Sequence, residues 1–342
     1  MMSAPGFWWR TPPAVLARLL QPLGAFYGAA TLSRMRRPGA DAGIPVICVG
    51  NFVAGGAGKT PTVLALAERL AAIGEKPFVL SRGYGGREAG PLRVEPARHG
   101  AAGVGDEPLL MAGHVPVIVA RDRPAGAALA RSQGASLIVM DDGLQNPSLG
   151  KDLRLAVVDG AAGIGNGLCL PAGPLRAPIE GQLGETDAVI VIGAGEPGEI
   201  AARKARSAGR PVLRAALSVV PEVRARLAGL SVLAASGIGR PEKFAATLRE
   251  NGASIVGERR YGDHHPYAAS DVAALIADAK AQGCVVAVTE KDMVKLEPLW
   301  PADERERLLA VPVRLGFEDE KALAALLLQA LSGSGAAAAA HP

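Results

Sequence analysis

A glycine-rich stretch from Gly50 to Thr60 has the residue types of a phosphate-binding loop. Glycines let successive backbone N–H groups face phosphate oxygens, and a following helix N-terminus adds partial positive charge. In such a loop Lys59 would bridge the β- and γ-phosphates of a nucleoside triphosphate, and Thr60 would hold Mg²⁺. The strict pattern has glycine at position 53, where this chain has Val53. We therefore interpret the loop as a variant whose later glycines supply the flexibility.

Two adjacent acids, Asp141 and Asp142, follow the apolar run from Leu137 to Met140. A phosphoryl-transfer site needs an acid at the end of such a strand to anchor Mg²⁺, which is the Walker B position. Paired acids after a strand also serve as turn or capping residues. The phosphate-binding loop earlier in the chain favours the metal interpretation.

Asp106 stands before Glu107 and Pro108 at the start of a predicted helix. The local pattern alone favours a helix N-cap over a catalytic carboxylate. Further along, Asp263 precedes His264 and His265 in a polar stretch. That run is open to three interpretations: a metal cluster, a hydrogen-bonded acid–histidine pair, or an incidental loop histidine. Metal binding is the weakest of these, because no further Cys or His has ligand spacing.

Arginines follow two of the predicted strands on the edge where parallel sheets bind ligands. Arg82 lies in the glycine-rich turn Ser81 to Gly86, and Arg121 and Arg123 follow the next strand. Each could grip a substrate phosphate or stand in a solvated turn. The stretch Thr289 to Asp292 resembles the base-recognition corner of GTPases without matching its spacing.

The elements that must position these residues alternate between strand and helix, which predicts a parallel sheet with crossover helices. The predicted strands are Val46 to Gly50, Pro77 to Ser81, Val117 to Ala120, Leu137 to Met140, Leu155 to Asp159 and Ala188 to Ile192. The predicted helices between them are Thr62 to Ile73, Glu107 to Ala112, Pro124 to Gln133 and Glu199 to Ala208.

A second alternating block predicts a second, smaller α/β domain. Its predicted elements are Ser231 to Ala235, Pro241 to Asn251, Ser254 to Val256, Ser270 to Gln282, Val285 to Thr289 and Asp319 to Leu331. We expect an N-terminal helical segment at 1–40, a P-loop core domain at 41–222, the second domain at 223–331 and a disordered tail at 332–342. The expected class is α/β, with a P-loop NTPase-type, mostly parallel sheet flanked by helices.

The first forty residues carry five arginines and no acid. They also hold Phe7, Trp8, Trp9, Phe26 and Tyr27, with leucines at mostly helical spacing. This pattern predicts an amphipathic helix that lies in a membrane interface, with the arginines suited to anionic headgroups. A core helix and a signal peptide are the alternatives. Arg18 and Pro22 leave the apolar run too short to span a bilayer.

The whole chain is apolar for an enzyme in solution, with 49% hydrophobic and 20% charged residues among 342. Its formal net charge of +4 is small and its basic excess is N-terminal, so nucleic acid is not an expected partner. Three cysteines lie far apart in or near apolar runs, which indicates neither a disulfide framework nor a metal knuckle. A reducing cytoplasm follows as the default.

Taken in order, eight stretches resemble the tetraacyldisaccharide 4'-kinase family of lipid A biosynthesis, over nearly the whole chain. They are Gly50 to Pro61, Ser81 to Gly85, Gly105 to Pro108, Asp141 to Gln145, Leu170 to Arg176, Gly237 to Pro241, Asp263 with His264, and Thr289 to Asp292. The resemblance implies ATP-dependent phosphorylation of the 4'-hydroxyl of a tetraacylated glucosamine disaccharide 1-phosphate. The product would be the lipid A precursor lipid IVA, made at the cytoplasmic face of the inner membrane by a peripheral or monotopic enzyme.

The resemblance also implies roles for individual residues. Asp106 would be the catalytic base, supported by His264, with Lys59 as the third catalytic residue. Nucleotide contacts would come from Asn51, Gly55, Gly56, Ala57, Gly58, Lys59, Thr60 and Pro61. Mg²⁺ would be held by Thr60, Asp141, Asp142 and Glu107. Substrate contacts would come from Arg82, Tyr84, Arg121, Gln145 and Arg176.

Two positions depart from the family pattern, Asn146 where histidine is frequent and Ala177 where an acid is frequent, so contacts of those side chains are not carried over. The expected partners are ATP, Mg²⁺, the acylated disaccharide and anionic lipid, without an obligate protein partner. The competing hypotheses are a P-loop switch NTPase of metallochaperone or targeting type and a nucleotide-binding scaffold without catalysis. The switch would need a base-recognition motif that is not found in the sequence.

Overall fold

The computed structural model describes residues 5–338. The strands are β1 Val46–Asn51, β2 Pro77–Ser81, β3 Leu92–Arg93, β4 Val117–Val119, β5 Leu137–Asp141, β6 Leu153–Asp159, β7 Ala188–Ile192, β8 Val212–Val219, β9 Ser231–Ser236, β10 Ser254–Arg260, β11 Val285–Thr289, β12 Leu308–Val311 and β13 Val313–Phe317. The helices are α1 Val15–Met35, α2 Lys59–Ala72, α3 Ala101–Val104, α4 Asp106–Ala112, α5 Arg123–Ser132, α6 Ile179–Gly184, α7 Glu196–Ser207, α8 Pro221–Leu227, α9 Pro241–Glu250, α10 Ala269–Gln282, α11 Glu290–Leu296 and α12 Glu320–Ala338.

The large sheet has nine strands in the order β13-β8-β7-β6-β1-β5-β2-β4-β3. The seven from β8 to β4 are parallel to their neighbours, and an antiparallel strand closes each edge. β1 lies in the middle, between β5 and β6, and is buried along its whole length. Because the strands are parallel, the loops that follow β1, β2, β5 and β6 open on one edge of the sheet. The predicted phosphate-binding loop and both Walker B acids therefore share that edge.

Helices cover both faces of the large sheet, which explains its continuous hydrophobic strands. On one face α2, α4 and α12 contribute buried residues such as Leu66, Met111 and Leu327 to a core shared with Val49 and Val139. On the other face α5 packs over β1, β5, β2 and β4, and α6 and α7 pack over β6 and β7. The central strand and the helix after it are thereby held rigidly.

The second sheet has four parallel strands in the order β10-β9-β11-β12. Its two faces carry separate cores, one with α10 and α11 and one with α9. The loops after β9 and β11 lead into Gly237 and into α11, and both face the ligand-binding edge of the large sheet.

The end of the chain departs from the predicted division, in which residues 223–331 form the second domain. β13 returns to the large sheet and pairs antiparallel with β8, with Leu315 opposite Leu217. α12 then packs on the large-sheet core through Leu323 and Leu327. Arg69 of α2 hydrogen-bonds both oxygens of Glu320, at 2.8 and 2.5 Å. The second α/β unit is therefore inserted between two neighbouring strands of the first.

The predicted disordered tail, 332–342, is also different in part, because the backbone of α12 is helical to Ala338. Residues 339–342 of that prediction lie outside the described residues.

The N-terminal helix α1 lies along the large domain and buries only a narrow stripe. Ala17, Gly24 and Gly28 are on that stripe, and the two glycines abut Cys169, where a Cβ would meet its atoms at 2.6 Å. On the side facing away from the stripe the helix exposes Leu19 at 72% and Phe26 at 79% of their surface. No helix between residues 5 and 338 combines the length and apolar character needed to cross a bilayer.

Candidate active site

The loop after β1 is shaped as the sequence predicts for phosphate binding. Gly55 and Gly58 have φ angles of 118° and 90°, which disfavour a side chain, and Gly58 directly precedes α2. A Cβ on Gly55 or Gly56 would meet nothing within 4 Å, so the loop borders open space. Buried Asn51 donates from its side chain to the Gly55 carbonyl at 2.9 Å and ties the loop to its strand.

Val53 replaces the expected glycine because the chain is still extended at that position. It forms an antiparallel bridge with Leu175, and the next residue, Ala54, donates its N–H to the Pro174 carbonyl at 2.8 Å. Val53 is buried there. The turn itself is made by the later glycines, as the sequence interpretation requires.

The Walker B acids meet the loop from β5. Asp142, with an unusual φ of 48°, receives both Nη atoms of Arg176 at 2.9 and 3.1 Å. Lys59 Nζ lies 3.7 Å from Asp142 Oδ1. Burial raises the pKa of Asp142, but Lys59 and Arg176 outweigh burial and bring the pKa below its usual value. Asp142 is therefore a fixed anion at the start of the nucleotide site.

Asp141 differs from Asp142 in that its surroundings raise its pKa. Its Oδ2 accepts from Ser81 Oγ at 3.2 Å, while its Oδ1 is buried without a hydrogen-bond partner. Burial first, then the charges of Glu107 and Asp142, raise the pKa of Asp141 to about 7. An orphaned carboxylate oxygen among like charges is a place where a cation lowers the energy.

Among the described residues, the acids of this site form no all-protein metal cage. Within residues 5–338 no group of three or more His, Cys, Asp or Glu side chains converges on one metal position. Mg²⁺ typically takes only one or two carboxylates, with waters and substrate phosphates completing the octahedron.

Asp106 joins the site from α4, and His264 reaches it from the second domain. His264 Nδ1 lies 2.9 Å from each carboxylate oxygen of Asp106. Asp106 Oδ1 also accepts the N–H of Glu107 at 2.9 Å, while Gly105 is the N-cap residue of α4. The N-cap interpretation of Asp106 is therefore wrong, because Gly105 occupies the cap position and Asp106 is the first residue of α4. Asp106 is only 5% exposed.

The charges around this pair favour an ionised Asp106. Burial alone would raise the pKa of Asp106, but the hydrogen bond from His264 and the charges of Lys291 and Lys295 bring it below its usual value. The same hydrogen bond raises the pKa of His264, against the opposing effect of burial. Lys291 Nζ lies 3.2 Å from His264 Nε2, a geometry that suits a neutral ring with its proton on Nδ1.

The two lysines are functional candidates that sequence reasoning missed. Lys291 lies in the stretch Thr289 to Asp292, which resembles a GTPase base-recognition motif. Its Nζ, however, lies 3.2 Å from Glu107 and 3.8 Å from Asp106. Lys295 lies 3.7 Å from Asp106 and 3.3 Å from buried Asp292. Their i,i+4 spacing on α11 was the available signal, because it places both on one helix face.

The predicted substrate-binding residues divide into two groups. Tyr84 and the exposed Arg82 and Arg121 follow β2 and β4 at the ligand-binding edge, with the Tyr84 ring edge-on to His264 at 5.5 Å. Gln145 is buried, donates to the Asn51 carbonyl at 2.8 Å and accepts from Arg176 at 3.0 Å. Gln145 and Arg176 therefore brace the wall of the phosphate-binding loop.

Arg123, which follows β4 as Arg121 does, is a structural residue. It is 2% exposed and donates to the carbonyls of Leu80 and Asp141 at 2.7 and 3.0 Å. It therefore fixes the ends of β2 and β5 relative to one another.

A second charged contact joins the domains at the end of β6. Asp159 is paired with Arg240 at 2.9 Å and with Lys243. Its Oδ1 accepts the N–H groups of Ala161 and Ala162 at 2.9 and 3.1 Å. Sequence reasoning did not identify this contact, although Asp159, like Asp141, is an acid at the carboxyl end of a parallel strand.

Comparisons with known proteins show which family this chain resembles over nearly its whole length. A family model described as tetraacyldisaccharide-1-P 4'-kinase matches residues 16–332. A tetraacyldisaccharide 4'-kinase of Bradyrhizobium sp. BTAi1 is 54% identical over 97% of this chain and 96% of the relative. One of Methylobacterium radiotolerans is 58% identical over 94% of this chain and 97% of the relative.

A solved structure has the same fold. The crystal structure of LpxK from Aquifex aeolicus, described as in complex with ATP, superposes with a TM-score of 0.70 at 24% identity. It covers 93% of this chain and 100% of the other. The prediction of an α/β fold with a P-loop NTPase-type, mostly parallel sheet flanked by helices is confirmed.

Proposed function

This chain belongs to the tetraacyldisaccharide 4'-kinase family, and we propose that Asp106, held by His264, is the base of its reaction. The reaction is ATP-dependent transfer of the γ-phosphate to the 4'-hydroxyl of a tetraacylated glucosamine disaccharide 1-phosphate, which gives lipid IVA. The observation that carries the proposal is the pair of 2.9 Å contacts between His264 Nδ1 and the carboxylate of Asp106.

Asp106 would accept the proton of the sugar hydroxyl as that oxygen attacks the γ-phosphorus. An ionised carboxylate that is nearly inaccessible to water can do this, because water does not compete with the contacts that fix its orientation. His264 donates from Nδ1 and fixes the carboxylate plane, and Lys291 faces the other ring nitrogen. The ammonium groups of Lys291 and Lys295 keep Asp106 ionised before the substrate binds.

Lys59 and the glycine-rich loop would hold the phosphates of ATP in line with the attacking oxygen. Phosphoryl transfer is catalysed mainly by positioning and charge neutralisation, and a lysine at a helix N-terminus supplies both. Lys59 begins α2 and lies 3.7 Å from Asp142, so its ammonium is held at the loop.

Asp141, Asp142, Thr60 and Glu107 are the residues that would hold Mg²⁺, directly or through water. The cation would neutralise the charge that develops on the transferred phosphoryl group. The unpartnered Asp141 Oδ1 and the raised pKa of that carboxyl support this role.

Because the base and its partner come from different domains, this arrangement exists only when the cleft is closed. Opening would separate Asp106 from His264 and Lys291, and would admit the disaccharide. Domain closure is a common means of excluding water from a phosphoryl-transfer site.

α1 would bring this cleft to the bilayer. Its exposed residues Leu16, Leu19, Leu23 and Phe26 form one continuous apolar side, which faces away from the stripe that packs on the domain. The helix contacts the loop around Cys169, which leads to Arg176 in the site. A lipid acceptor held at the interface would thus meet a cleft anchored beside it.

The decisive experiment incubates the purified protein with γ-labelled ATP, Mg²⁺ and detergent-dispersed tetraacyldisaccharide 1-phosphate. We expect label in the lipid. Asp106→Asn should lower kcat by about 10²- to 10⁴-fold while nucleotide affinity stays nearly unchanged. Asp159→Asn makes the same chemical change at the other domain contact and is the matched control. Equal losses of turnover and ATP binding in Asp106→Asn would indicate a structural role and refute the base.

The membrane role has its own test, because the detergent assay does not need a bilayer. Leu19→Asp with Phe26→Asp should abolish sedimentation with phospholipid vesicles and leave detergent activity intact. Leu217→Asp with Val256→Asp changes exposed apolar residues elsewhere and serves as the control. Unchanged vesicle binding by the α1 variant would disprove interfacial docking through this face.

A further inference from the structure

A cavity of about 180 Å³ lies at the C-terminal end of α1, on the opposite edge of the large sheet from the cleft. Its walls come from the end of α1, the segment that follows the Walker B acids, and the starts of β6 and β7. The polar residues that line it are Arg36, Arg37, Lys151, Arg154 and Glu185. Arg154 is the second residue of β6 and Glu185 precedes β7, so the cavity is separate from the ligand-binding edge.

Positive charge in this cavity exceeds negative charge by four to one. Glu185 is shared by two arginines, with Arg36 Nε at 3.4 Å and Arg154 Nη1 at 3.3 Å. Neither Arg37 nor Lys151 has a carboxylate within 4.0 Å in the described part of the chain. Two cationic groups are therefore left without an anion.

Lys151 is the more constrained of the two. Its Nζ donates to the Asn146 carbonyl at 2.5 Å, which uses one of its three hydrogens. Burial, aided by the neighbouring charges of Arg154 and Arg123, lowers the pKa of Lys151. A multivalent oxyanion in the cavity would accept the remaining donors and compensate that burial.

The cavity also lies where lipid headgroups would be if α1 lies in the interface. The exposed apolar side of α1 ends near Tyr27. About two turns further along, the same side of the helix carries the exposed Arg34. Arg36 and Arg37 follow directly at the mouth of the cavity. A sequence of apolar residues followed by cationic residues is typical of a segment that passes from the acyl layer to the headgroup layer.

We propose that this cavity binds the phosphate of an anionic phospholipid headgroup and so fixes how the enzyme sits on the bilayer. The proposal rests on the interfacial role proposed for α1, and it adds a specific site to a general surface attraction. Arg37 and Lys151 would grip the phosphate oxygens, while Arg36 and Arg154 stay paired with Glu185. The headgroup would then hold the C-terminal end of α1 as the apolar face holds the rest.

The test compares three proteins by sedimentation with phosphatidylcholine vesicles, with and without phosphatidylglycerol, at low and high salt. They are the wild type, Arg37→Gln with Lys151→Gln, and Arg18→Gln with Arg34→Gln. The last pair removes two exposed charges from α1 outside the cavity and is the control. Diffuse attraction contributes about fivefold in affinity per charge, equally in both pairs. A built site predicts that the cavity pair loses at least about threefold more, with the excess surviving high salt, where diffuse attraction is screened.

Equal losses in the two pairs would overturn the proposal. A free anion is tested separately with inorganic phosphate: a rise in melting temperature that needs Arg37 and Lys151, without excess loss on vesicles, would assign the cavity to a soluble anion and refute the lipid source. Detergent kinase activity of the cavity pair should match wild type. Its loss would indicate misfolding from the half-buried Lys151, and the exposed single variant Arg37→Gln then decides the question. Failure of the wild type to label lipid would count against the kinase mechanism alone.

Discussion

The two charged contacts that join the domains are built from similar groups but differ in surroundings. At one, Asp106 meets His264, with Lys291 and Lys295 beside it, and every partner is largely shielded from water. At the other, Asp159 meets Arg240 and Lys243, whose side chains remain 32% and 45% exposed.

The difference indicates that one contact serves catalysis and the other serves closure of the cleft between the domains. An aspartate locked between a ring N–H and two buried ammonium groups has a defined orientation and protonation state. Asp159 is also held, by two backbone N–H groups, but the cations that face it are partly solvated, and such contacts contribute little to stability. We therefore expect the first contact to control turnover and the second to tune how readily the cleft closes.

After Asp106→Asn, the largest expected effect comes from His264. Replacement by alanine should reduce kcat by about 10²- to 10³-fold, with little change in ATP affinity, because Asp106 loses its orienting donor. Single-turnover label transfer measures this directly.

Asparagine at 264 sharpens the result. It tolerates the observed φ of 58° and can place its amide nitrogen near the position of Nδ1. If His264→Asn recovers most of the lost activity, orientation is the role of the histidine. If it is as impaired as alanine, the rest of the imidazole is needed.

The next effect concerns Asp141, which lies beside the first contact. Since its pKa is raised to about 7, Mg²⁺ must displace a proton below that pH, and apparent Mg²⁺ affinity should fall about tenfold per pH unit. Calorimetry in buffers of different ionisation enthalpy should detect release of about one proton near pH 6. A proton count of zero there would contradict the raised pKa.

Asp141→Asn should also stabilise the protein without Mg²⁺. The native carboxyl binds its proton more tightly than the unfolded one, so its ionisation at neutral pH costs stability. Thermal melts at pH 8 should show a higher melting temperature for the variant, and the difference should shrink below pH 6. A lower melting temperature at pH 8 would argue against the buried like-charge cluster.

A smaller effect is expected at the second contact. Asp159→Asn keeps the acceptor for Ala161 and Ala162 but removes the charge that faces Arg240 and Lys243. We expect a rise of about fivefold or less in KM for ATP and an almost unchanged kcat, since roughly 1 kcal/mol of closure energy is lost. Steady-state kinetics distinguish this from a large fall in kcat, which would make Asp159 part of the catalytic site.

The smallest effect is on acid stability. Burial opposes ionisation of Asp159, but Lys243 and Arg240 outweigh it and lower its pKa. The stabilisation is therefore present above the unfolded pKa near 4 and is lost as pH falls through the native value. The stability difference between wild type and Asp159→Asn, about 1 kcal/mol at neutral pH, should vanish in acid. A difference that persists at low pH would point to a cause other than charge.

The central strands and the phosphate-binding loop could be predicted from sequence because local patterns determine them. β1, β2, β5 and β7 are buried along their length, so their apolar runs are continuous. β8 and β13 gave no such signal, since one face of each is partly exposed and their pairing joins residues about a hundred positions apart. Their partnership depends on the packing of the whole inserted unit.

The site was predictable one residue at a time but not as a pair of contacts. Lys59, Asp141 and Asp142 follow from strand-end chemistry, and the family resemblance linked Asp106 with His264. No local pattern places Lys295 next to Asp106 or Arg240 next to Asp159, because those distances depend on how two sheets face each other. The similar chemistry of the strand-end acids Asp141 and Asp159 was the signal left unused.

The return of β13 and α12 to the large sheet has a consequence for biosynthesis. The wall of the nucleotide-binding half that carries Leu323 and Leu327 is translated only after the entire inserted unit. Until then β8 is an unpaired edge strand and one side of α2 is not packed. The emerging chain therefore exposes unpaired backbone N–H and C=O groups and an apolar helix surface. The enzyme cannot complete its ATP-binding half on the ribosome before the inserted unit has been made.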